Sequence, residues 1–254
     1  MKTLFKYDFT YLWKTSKFII IIVLGIFLAM LSVLTAYFLN DILQSAFDMD
    51  EFCIPITEPT VYDAYGEFFN NFTQIYLMVV LFLSVAFFTR DTTKDHLPLI
   101  FSKPLSRKHY VLSKSIWYIT LIFIGLAVSI AIFMTYSYLL FEVFHVGRFI
   151  VAMLGFYVFL LIIGHIALLF SMLFKSYLAP AALTFGVFIL FTILNMFDQG
   201  ILKYLPNQLL QYPNLLLLEQ ISYTTFLITT VIGTITIGLL LFGAVQLFKR
   251  KSLL

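Results

Sequence analysis

The sequence predicts an all-α integral membrane protein, with an N-terminal interfacial helix followed by six transmembrane helices. Of its 254 residues, 61% are hydrophobic and only 11% are charged, and the mean hydropathy is +0.99. Apolar stretches recur at roughly the 20 residues that a helix needs to cross a bilayer core. The basic residues gather in a few short segments between these stretches, as they do on the cytoplasmic side of membrane proteins.

The first 17 residues predict a helix that lies on the membrane surface. Their basic residues recur every three or four positions, and apolar residues cover most of the remaining circumference, which is typical of an interfacial helix. Asp8 breaks this pattern, because it falls on the apolar side. The alternative is a basic start that only sets the topology. The residues assigned to the interfacial helix are Lys6, Phe9, Trp13 and Lys14.

A single transmembrane domain, 1–254, is predicted to hold all six spans. The first apolar run follows basic residues, as in a signal peptide, but it lacks a small-residue cleavage site and predicts an uncleaved anchor. The predicted transmembrane helices are 18–39, 72–88, 116–141, 149–174, 178–197 and 223–248.

The distribution of charge predicts the orientation. Fourteen of the 16 Lys and Arg residues fall on one side of the predicted spans, and only Arg148 and Lys203 fall on the other. Because short loops rich in Lys and Arg face the cytoplasm, both termini are predicted to be cytoplasmic. The sequence therefore predicts a multi-pass protein of the cell membrane.

Two outer segments differ in character. Residues 40–70 are acidic and predict a lid or a short hairpin. Residues 200–223 are apolar for a loop and are broken by Pro206 and Pro213. They predict either short re-entrant helices, which must be buried against protein, or two amphipathic helices on the outer surface.

Chemistry inside the membrane is scarce in this sequence. His165 is the clear ionisable residue within a predicted span, and we expect it to form a hydrogen bond between helices. The chain has no H-E-x-x-H, G-x-S-x-G or G-x-x-x-x-G-K-[ST] motif. We therefore predict that it is not an enzyme and that it binds no cofactor or metal itself.

Residues 90–114 carry six of the 16 basic residues and predict a docking element for a soluble partner. Within them, the stretch L-P-L-I-F from Leu97 to Phe101 supplies an apolar face on the cytoplasmic side. A short helix that is apolar on one side and ionic on the other suits recognition by a partner. Ser106 is predicted to cap the helix that leads into the third span. The alternative is a basic loop that only fixes topology.

The stretch L-P-L-I-F-S-K-P-L-S-R-K-H-Y-V-L-S-K resembles the loop after the second span of ABC-2 type permeases, and the likeness extends over the whole chain. A departure is that Arg90 to Asp95 replace the Glu and Gly-Thr that often precede the leucines in that family. The residues that carry the resemblance are Leu97, Leu99, Ser102, Pro104, Ser106, Arg107 and Lys114.

The resemblance implies an ABC exporter made of two permease chains, with this chain paired with a second, identical one, and two separate ATPase chains that hold ATP and Mg²⁺. It implies that residues 90–103 form the coupling loop. The residues that it implies for contact with the ATPase are Asp91, Asp95, His96, Leu97, Leu99, Ile100, Phe101 and Arg107.

Within the family, the chain resembles the small permeases of Gram-positive peptide exporters. Phe, Ile, Leu and Tyr dominate every predicted span, which favours cargo that is apolar on at least one face. Amphipathic peptides such as phenol-soluble modulins or bacteriocins fit this expectation. The alternatives are a lipid or drug ABC exporter, an ion-coupled secondary transporter, and a membrane scaffold; no nucleic-acid partner is expected.

The predicted orientation can be tested by chemical labelling of whole cells, after Cys53 is replaced. Ser45→Cys should react with an impermeant thiol reagent, because residue 45 lies in the predicted outer segment. Ser102→Cys should react only after the membrane is permeabilised. Equal labelling of both variants in intact cells would contradict the topology.

Overall fold

The computed structural model describes residues 2–39, 58–93, 97–102, 105–141, 145–197 and 200–250. The first part of the predicted outer segment, including Ser45, lies outside these residues. Asp95 and His96 lie outside them as well. No strand occurs in the described part of the chain, so its predicted all-α class is confirmed.

The helices follow one another in chain order, with short connections where the chain is described. The first four are α1 (Lys2–Lys14), α2 (Lys17–Tyr37), α3 (Val61–Asn71) and α4 (Leu77–Phe88), with a π-helical turn, Phe72–Tyr76, between α3 and α4. The short α5 (Arg90–Thr93) and α6 (Leu97–Phe101) come next, followed by α7 (Arg107–Leu140), α8 (Val146–Leu173) and α9 (Leu178–Leu194). Two 3₁₀ helices, Gly200–Tyr204 and Pro206–Leu210, then precede α10 (Tyr212–Leu217) and α11 (Tyr223–Arg250).

Five helices in the described part of the chain are long and apolar enough to cross a membrane, which fits a membrane protein. The fifth predicted span, 178–197, corresponds to α9, which has 17 residues and rises only about 26 Å at 1.5 Å per residue. This rise is slightly less than the ~30 Å hydrocarbon core. The five long helices are Lys17–Tyr37, Val61–Thr92, Arg107–Leu140, Val146–Leu173 and Tyr223–Arg250.

The second long helix begins eleven residues before its predicted start at residue 72, so residues 61–70 of the predicted lid or short hairpin are helical. The backbone N–H of Thr60 donates to the Asp63 carboxylate over 2.8 Å, which satisfies a free donor at the helix start. Val61, Ala64 and Phe68 are buried at helical spacing. The sequence prediction was wrong here because polar residues alternate with this buried face and lower the average hydropathy.

The core is organised around α8, which is buried on most of its circumference. It packs against α4, α7, α9, α10 and α11. Its N-terminal half meets a group of aromatic rings, in which Phe133 and Phe149 stack with centroids 4.8 Å apart and Phe68 lies 5.5 Å from Phe149. Offset and edge-to-face ring pairs add to the apolar burial and hold the helices in register.

The short helices before α11 pack against α8 and α11, and Leu209, Tyr212 and Leu217 are buried. Polar side chains satisfy the irregular backbone between them. The Gln211 amide donates to the carbonyl oxygen of Asn195 over 3.3 Å, and the Tyr212 hydroxyl donates to that of Lys203 over 2.7 Å. Burial against protein is what a re-entrant segment needs, whereas its depth in a bilayer stays a prediction.

Gly164 offers a direct test of the packing around α8. A Cβ atom at this position would overlap the ring of Tyr118, whose hydroxyl donates to the Leu160 carbonyl oxygen over 2.8 Å. Gly164→Ala should therefore destabilise the chain by about 1–3 kcal/mol and lower its melting temperature in detergent. Gly186→Ala is the matched control, because nothing lies within 4 Å of its added Cβ atom. Equal melting temperatures for the two variants would contradict this packing.

Candidate functional site

The predicted cytoplasmic end of the molecule contains a buried cluster of four charged residues, which we call the ionic cluster: Asp8, Arg90, Asp91 and Lys114. Asp8 comes from α1, Arg90 and Asp91 from α5 at the end of the second long helix, and Lys114 from α7. All four are at most 5% exposed. The cluster therefore joins three elements that are distant in sequence, at the point where the predicted coupling loop begins.

Asp91 makes the shortest contacts of the cluster. Its carboxylate accepts a hydrogen bond from Arg90 Nε over 2.6 Å and lies 2.8 Å from Lys114 Nζ. The Tyr110 hydroxyl donates to the same carboxylate over 2.8 Å, and the Tyr7 hydroxyl donates over 3.3 Å. Because Asp91 is fully buried, these partners replace the water that a carboxylate otherwise requires.

Asp8 connects the N-terminal helix to the same cations. One carboxylate oxygen lies 3.3 Å from Arg90 Nη2 and 3.4 Å from Lys114 Nζ. The other accepts a hydrogen bond from the Ser113 hydroxyl over 2.9 Å. The apolar side of α1 packs against the rest of the protein. Asp8 is buried on that side, where it meets Arg90, Lys114 and Ser113.

Aromatic rings shield the Arg90 guanidinium on the side of α1. Its central carbon lies 4.3 Å from the ring centroid of Tyr7 and 4.0 Å from that of Tyr11, within the range of cation–π attraction. Burial, and after it the charge of Asp91, raise the pKa of the Tyr7 hydroxyl above its usual value. Tyr7 therefore stays protonated at physiological pH and keeps its role as a donor.

The ionic cluster is neutral as a whole, because two carboxylates face two cations. Taking each charge out of water costs several kcal/mol, and only a complete set of partners offsets that cost. Removal of one member leaves an uncompensated buried charge and typically costs about 3–5 kcal/mol. This arrangement makes α1, α5 and α7 interdependent.

The predicted coupling segment packs against α7 and α11 beside this cluster. Leu97 in α6 is 7% exposed, and the Phe101 ring lies 5.7 Å from that of Tyr110 and 5.8 Å from that of Phe248. The Arg107 guanidinium donates to the carbonyl oxygens of Phe248 and Lys249 over 3.3 and 2.8 Å, at the end of α11. The segment is thus joined both to α7 and to the last helix.

These contacts limit what the segment can offer to a partner. Asp91 is buried in the ionic cluster, Leu97 faces the interior, and Ile100 and Phe101 are half-buried, whereas Pro98 is exposed. Contact of the predicted residues with an ATPase stays a prediction, and Asp95, His96 and the side chain of Leu99 lie outside what the structure describes. The predicted start of α7 after Ser106 is correct, but the Ser106 side chain makes no capping hydrogen bond.

The residues assigned to the interfacial helix lie on the exposed part of α1. Lys6 and Lys14 are exposed, as are Phe9 at 47% and Trp13 at 58%. Two large aromatic side chains between exposed lysines suit a membrane–water boundary. The position of α1 at that boundary stays a prediction.

His165 lies within the long helix α8 and is buried. Its Nε2 lies 2.8 Å from the Ser115 hydroxyl on α7, and its Nδ1 lies 2.7 Å from the Leu161 carbonyl oxygen. The predicted hydrogen bond between helices is therefore present. No group of three or more His, Cys, Asp or Glu residues within the described ranges could hold a metal ion.

Sequence reasoning identified Asp91 but assigned it to a partner, and it left Asp8 unexplained. The sequence did contain a signal for Asp8, because an acidic residue on the apolar side of a basic helix needs a cation as partner once it is buried. What the sequence could not indicate was which cation, because Arg90 and Lys114 are distant from Asp8 along the chain. Both positions had been assigned to the docking element 90–114.

Comparisons with known proteins leave the family of this chain open, since neither a scan of protein-family models nor a search of curated proteins found a match. The geometry defines a class of site all the same. It is a charge-neutral structural junction that joins an N-terminal helix, the end of one long helix and the start of the next. Its elements also flank the short segment Leu97–Phe101.

A double-mutant cycle can test the ionic cluster. Asp8→Asn leaves an excess buried positive charge and Lys114→Met an excess negative one, so each should lower the free energy of unfolding by about 3–5 kcal/mol. The double variant restores neutrality and should be less destabilised than the sum of the two. The measurement is unfolding of the purified protein in detergent.

Lys108→Met is the matched control, because Lys108 is exposed on the same helix. It should change stability by less than about 0.5 kcal/mol. Strict additivity of the Asp8 and Lys114 substitutions would contradict a direct interaction between them.

Proposed function

We propose that the chain is the transmembrane subunit of an ATP-driven ABC exporter, which moves amphipathic or hydrophobic cargo out of the cell. ATP hydrolysis takes place in a separate partner chain, and two copies of that ATPase act on a pair of permease chains. The resemblance of residues 97–114 to the ABC-2 type permeases suggests this assignment, and the packing of the same residues supports it.

The observation that carries the proposal is the attachment of the segment Leu97–Phe101. A coupling element must transmit displacement from a soluble partner to the membrane helices, so it must be held stiffly by those helices. Phe101 contacts Tyr110 on α7 and Phe248 on α11, and Tyr110 donates to Asp91 in the ionic cluster. A displacement of α6 would therefore be transmitted to α7 and α11 and, through the ionic cluster, to α1.

The exposed residues of α6 are the part that meets the ATPase in this proposal. Pro98 is exposed next to the buried Leu97, and Ile100 is half-buried. A shallow apolar surface of this kind suits a groove in a soluble partner. The buried members of the segment serve a different purpose, since they fix it to the permease.

The proposed cargo is an amphipathic peptide, such as a phenol-soluble modulin or a bacteriocin. Long helices with many exposed apolar side chains, including Val231, Leu239 and Phe242 on α11, offer little to replace the hydration of an ion or a sugar. Lipids share the required apolar character and are the alternative cargo. A second permease copy would cover part of this exposed surface.

A secondary transporter is the second candidate, and the burial of two carboxylates is the observation that favours it. Coupling ions are commonly bound by such groups in the membrane. In this chain, however, Asp8 and Asp91 already have Arg90 and Lys114 as partners. An ion would have to displace these cations, so the exporter is the stronger proposal.

The test begins with purification of the chain from its native membrane and identification of an associated P-loop ATPase. After reconstitution in vesicles, an amphipathic helical peptide should stimulate ATP hydrolysis and accumulate in an ATP-dependent manner. Stimulation and movement of labelled lipids alone would contradict peptide cargo. Transport driven by an ion gradient without ATP would contradict the exporter.

A variant of α6 tests the coupling role. Pro98→Glu places a charge on the exposed side of the segment and should reduce ATPase association and peptide-stimulated hydrolysis at least about tenfold, equivalent to ~1.4 kcal/mol. The protein itself should keep its melting temperature, because Pro98 is exposed. Gln220→Glu is the matched control, with the same added charge at an exposed position of the predicted outer side. Unchanged association of Pro98→Glu would contradict this docking surface.

A further inference from the structure

A narrow apolar crevice opens between α1, α2 and α7. Its walls include Phe9, Trp13, Phe18, Trp117 and Leu121, and Thr120 is its polar lining residue. The Trp117 indole N–H donates to the Phe5 carbonyl oxygen over 3.0 Å, which fixes one wall to α1. The crevice is thus a feature of packed helices, with both tryptophans of the chain in its lining.

The size of the crevice limits what can enter it. Its volume is about 80 Å³, whereas an apolar cavity of roughly 150 Å³ is known to hold a benzene molecule. An aromatic side chain of a peptide is therefore too large, and a few methylene groups of a linear hydrocarbon chain fit. The aromatic lining contributes dispersion contacts without polar partners that would need to be satisfied.

Two exposed cations on α1 neighbour lining residues of this crevice along the helix. Lys6 precedes Phe9 by one helical turn, and Lys14 follows Trp13 directly; both lysines are exposed. Neither forms an ion pair with another described residue. An apolar slot flanked by free ammonium groups on an amphipathic helix complements an acyl chain joined to a negatively charged headgroup.

We propose that this crevice is a binding site for an anionic phospholipid of the cytoplasmic leaflet. One acyl chain occupies the space between Trp13 and Trp117, and the headgroup phosphate contacts Lys6 and Lys14. The bound lipid completes the packing of α1 on α2 and α7. Since Asp8 on the opposite side of α1 belongs to the ionic cluster, the lipid and the cluster would hold the same helix from two sides.

Fluorescence provides a direct test, because both tryptophans of the chain line the crevice. The whole chain is reconstituted in phosphatidylcholine vesicles that contain dibrominated phosphatidylglycerol, and separately in the same vesicles with dibrominated phosphatidylcholine. Bromine quenches tryptophan at short range. We expect stronger quenching by the phosphatidylglycerol probe at equal mole fraction, with a relative association constant well above one.

Two kinds of variant separate a built site from general attraction to a charged surface. Lys6→Gln and Lys14→Gln should each lower the preference for the anionic probe, by about fivefold at most. Lys249→Gln, at an exposed cationic position on the same predicted side, should leave it unchanged. Thr120→Phe should fill the crevice and reduce quenching by both probes, while a preserved melting temperature in detergent shows that the variant is folded.

Several results would overturn the proposal. Equal quenching by the two probes would show that no anionic lipid is selected. If Lys249→Gln lowered the preference for the anionic probe as much as Lys6→Gln and Lys14→Gln, overall surface charge would explain that preference. Relief of quenching by an amphipathic helical peptide, at constant lipid composition, would assign the crevice to cargo. None of these results depends on ATP, so they test the lipid site independently of the proposed exporter function.

Discussion

The ionic cluster is the constraint on which the packing of α1, α5 and α7 depends. Four charged side chains are withdrawn from water, and they are tolerated only because the set is neutral and each member has partners. This requirement ties α1, the end of the second long helix and the start of α7 to one geometry. A rearrangement that separated any two of them would expose an unpaired charge to an apolar interior.

The position of the cluster explains how a short segment can matter to the whole chain. α6 has only five residues and could not hold a shape alone. It is held because Phe101 contacts Tyr110 and Phe248, and because Arg107 binds the carbonyl end of α11. Leu97 and Phe101 thus attach the segment to the protein, whereas Pro98 stays exposed.

Most long helices could be predicted from the sequence, since a bilayer-length apolar run leaves few alternatives for the backbone. The exceptions have specific causes. Residues 61–70 were assigned to an outer lid or short hairpin because acidic and polar residues mask the buried face of α3. The fifth predicted span ends at Leu194, and Asn195 beyond it serves as a hydrogen-bond partner for Asn207 over 2.6 Å. Neither the buried face of α3 nor the hydrogen bond between Asn195 and Asn207 could be inferred from the local sequence pattern.

By itself, the sequence determined the all-α class, the apolar helices, the amphipathic character of the first 17 residues and the asymmetry of the basic charge. These properties follow from composition and from spacing over a few turns, which are local. Tertiary structure decided which charges are functional neighbours. Asp8 and Lys114 are 106 residues apart, and their pairing depends on how three helices pack. No local rule contains that information, because a buried charge is defined by its partners and not by its position in the chain.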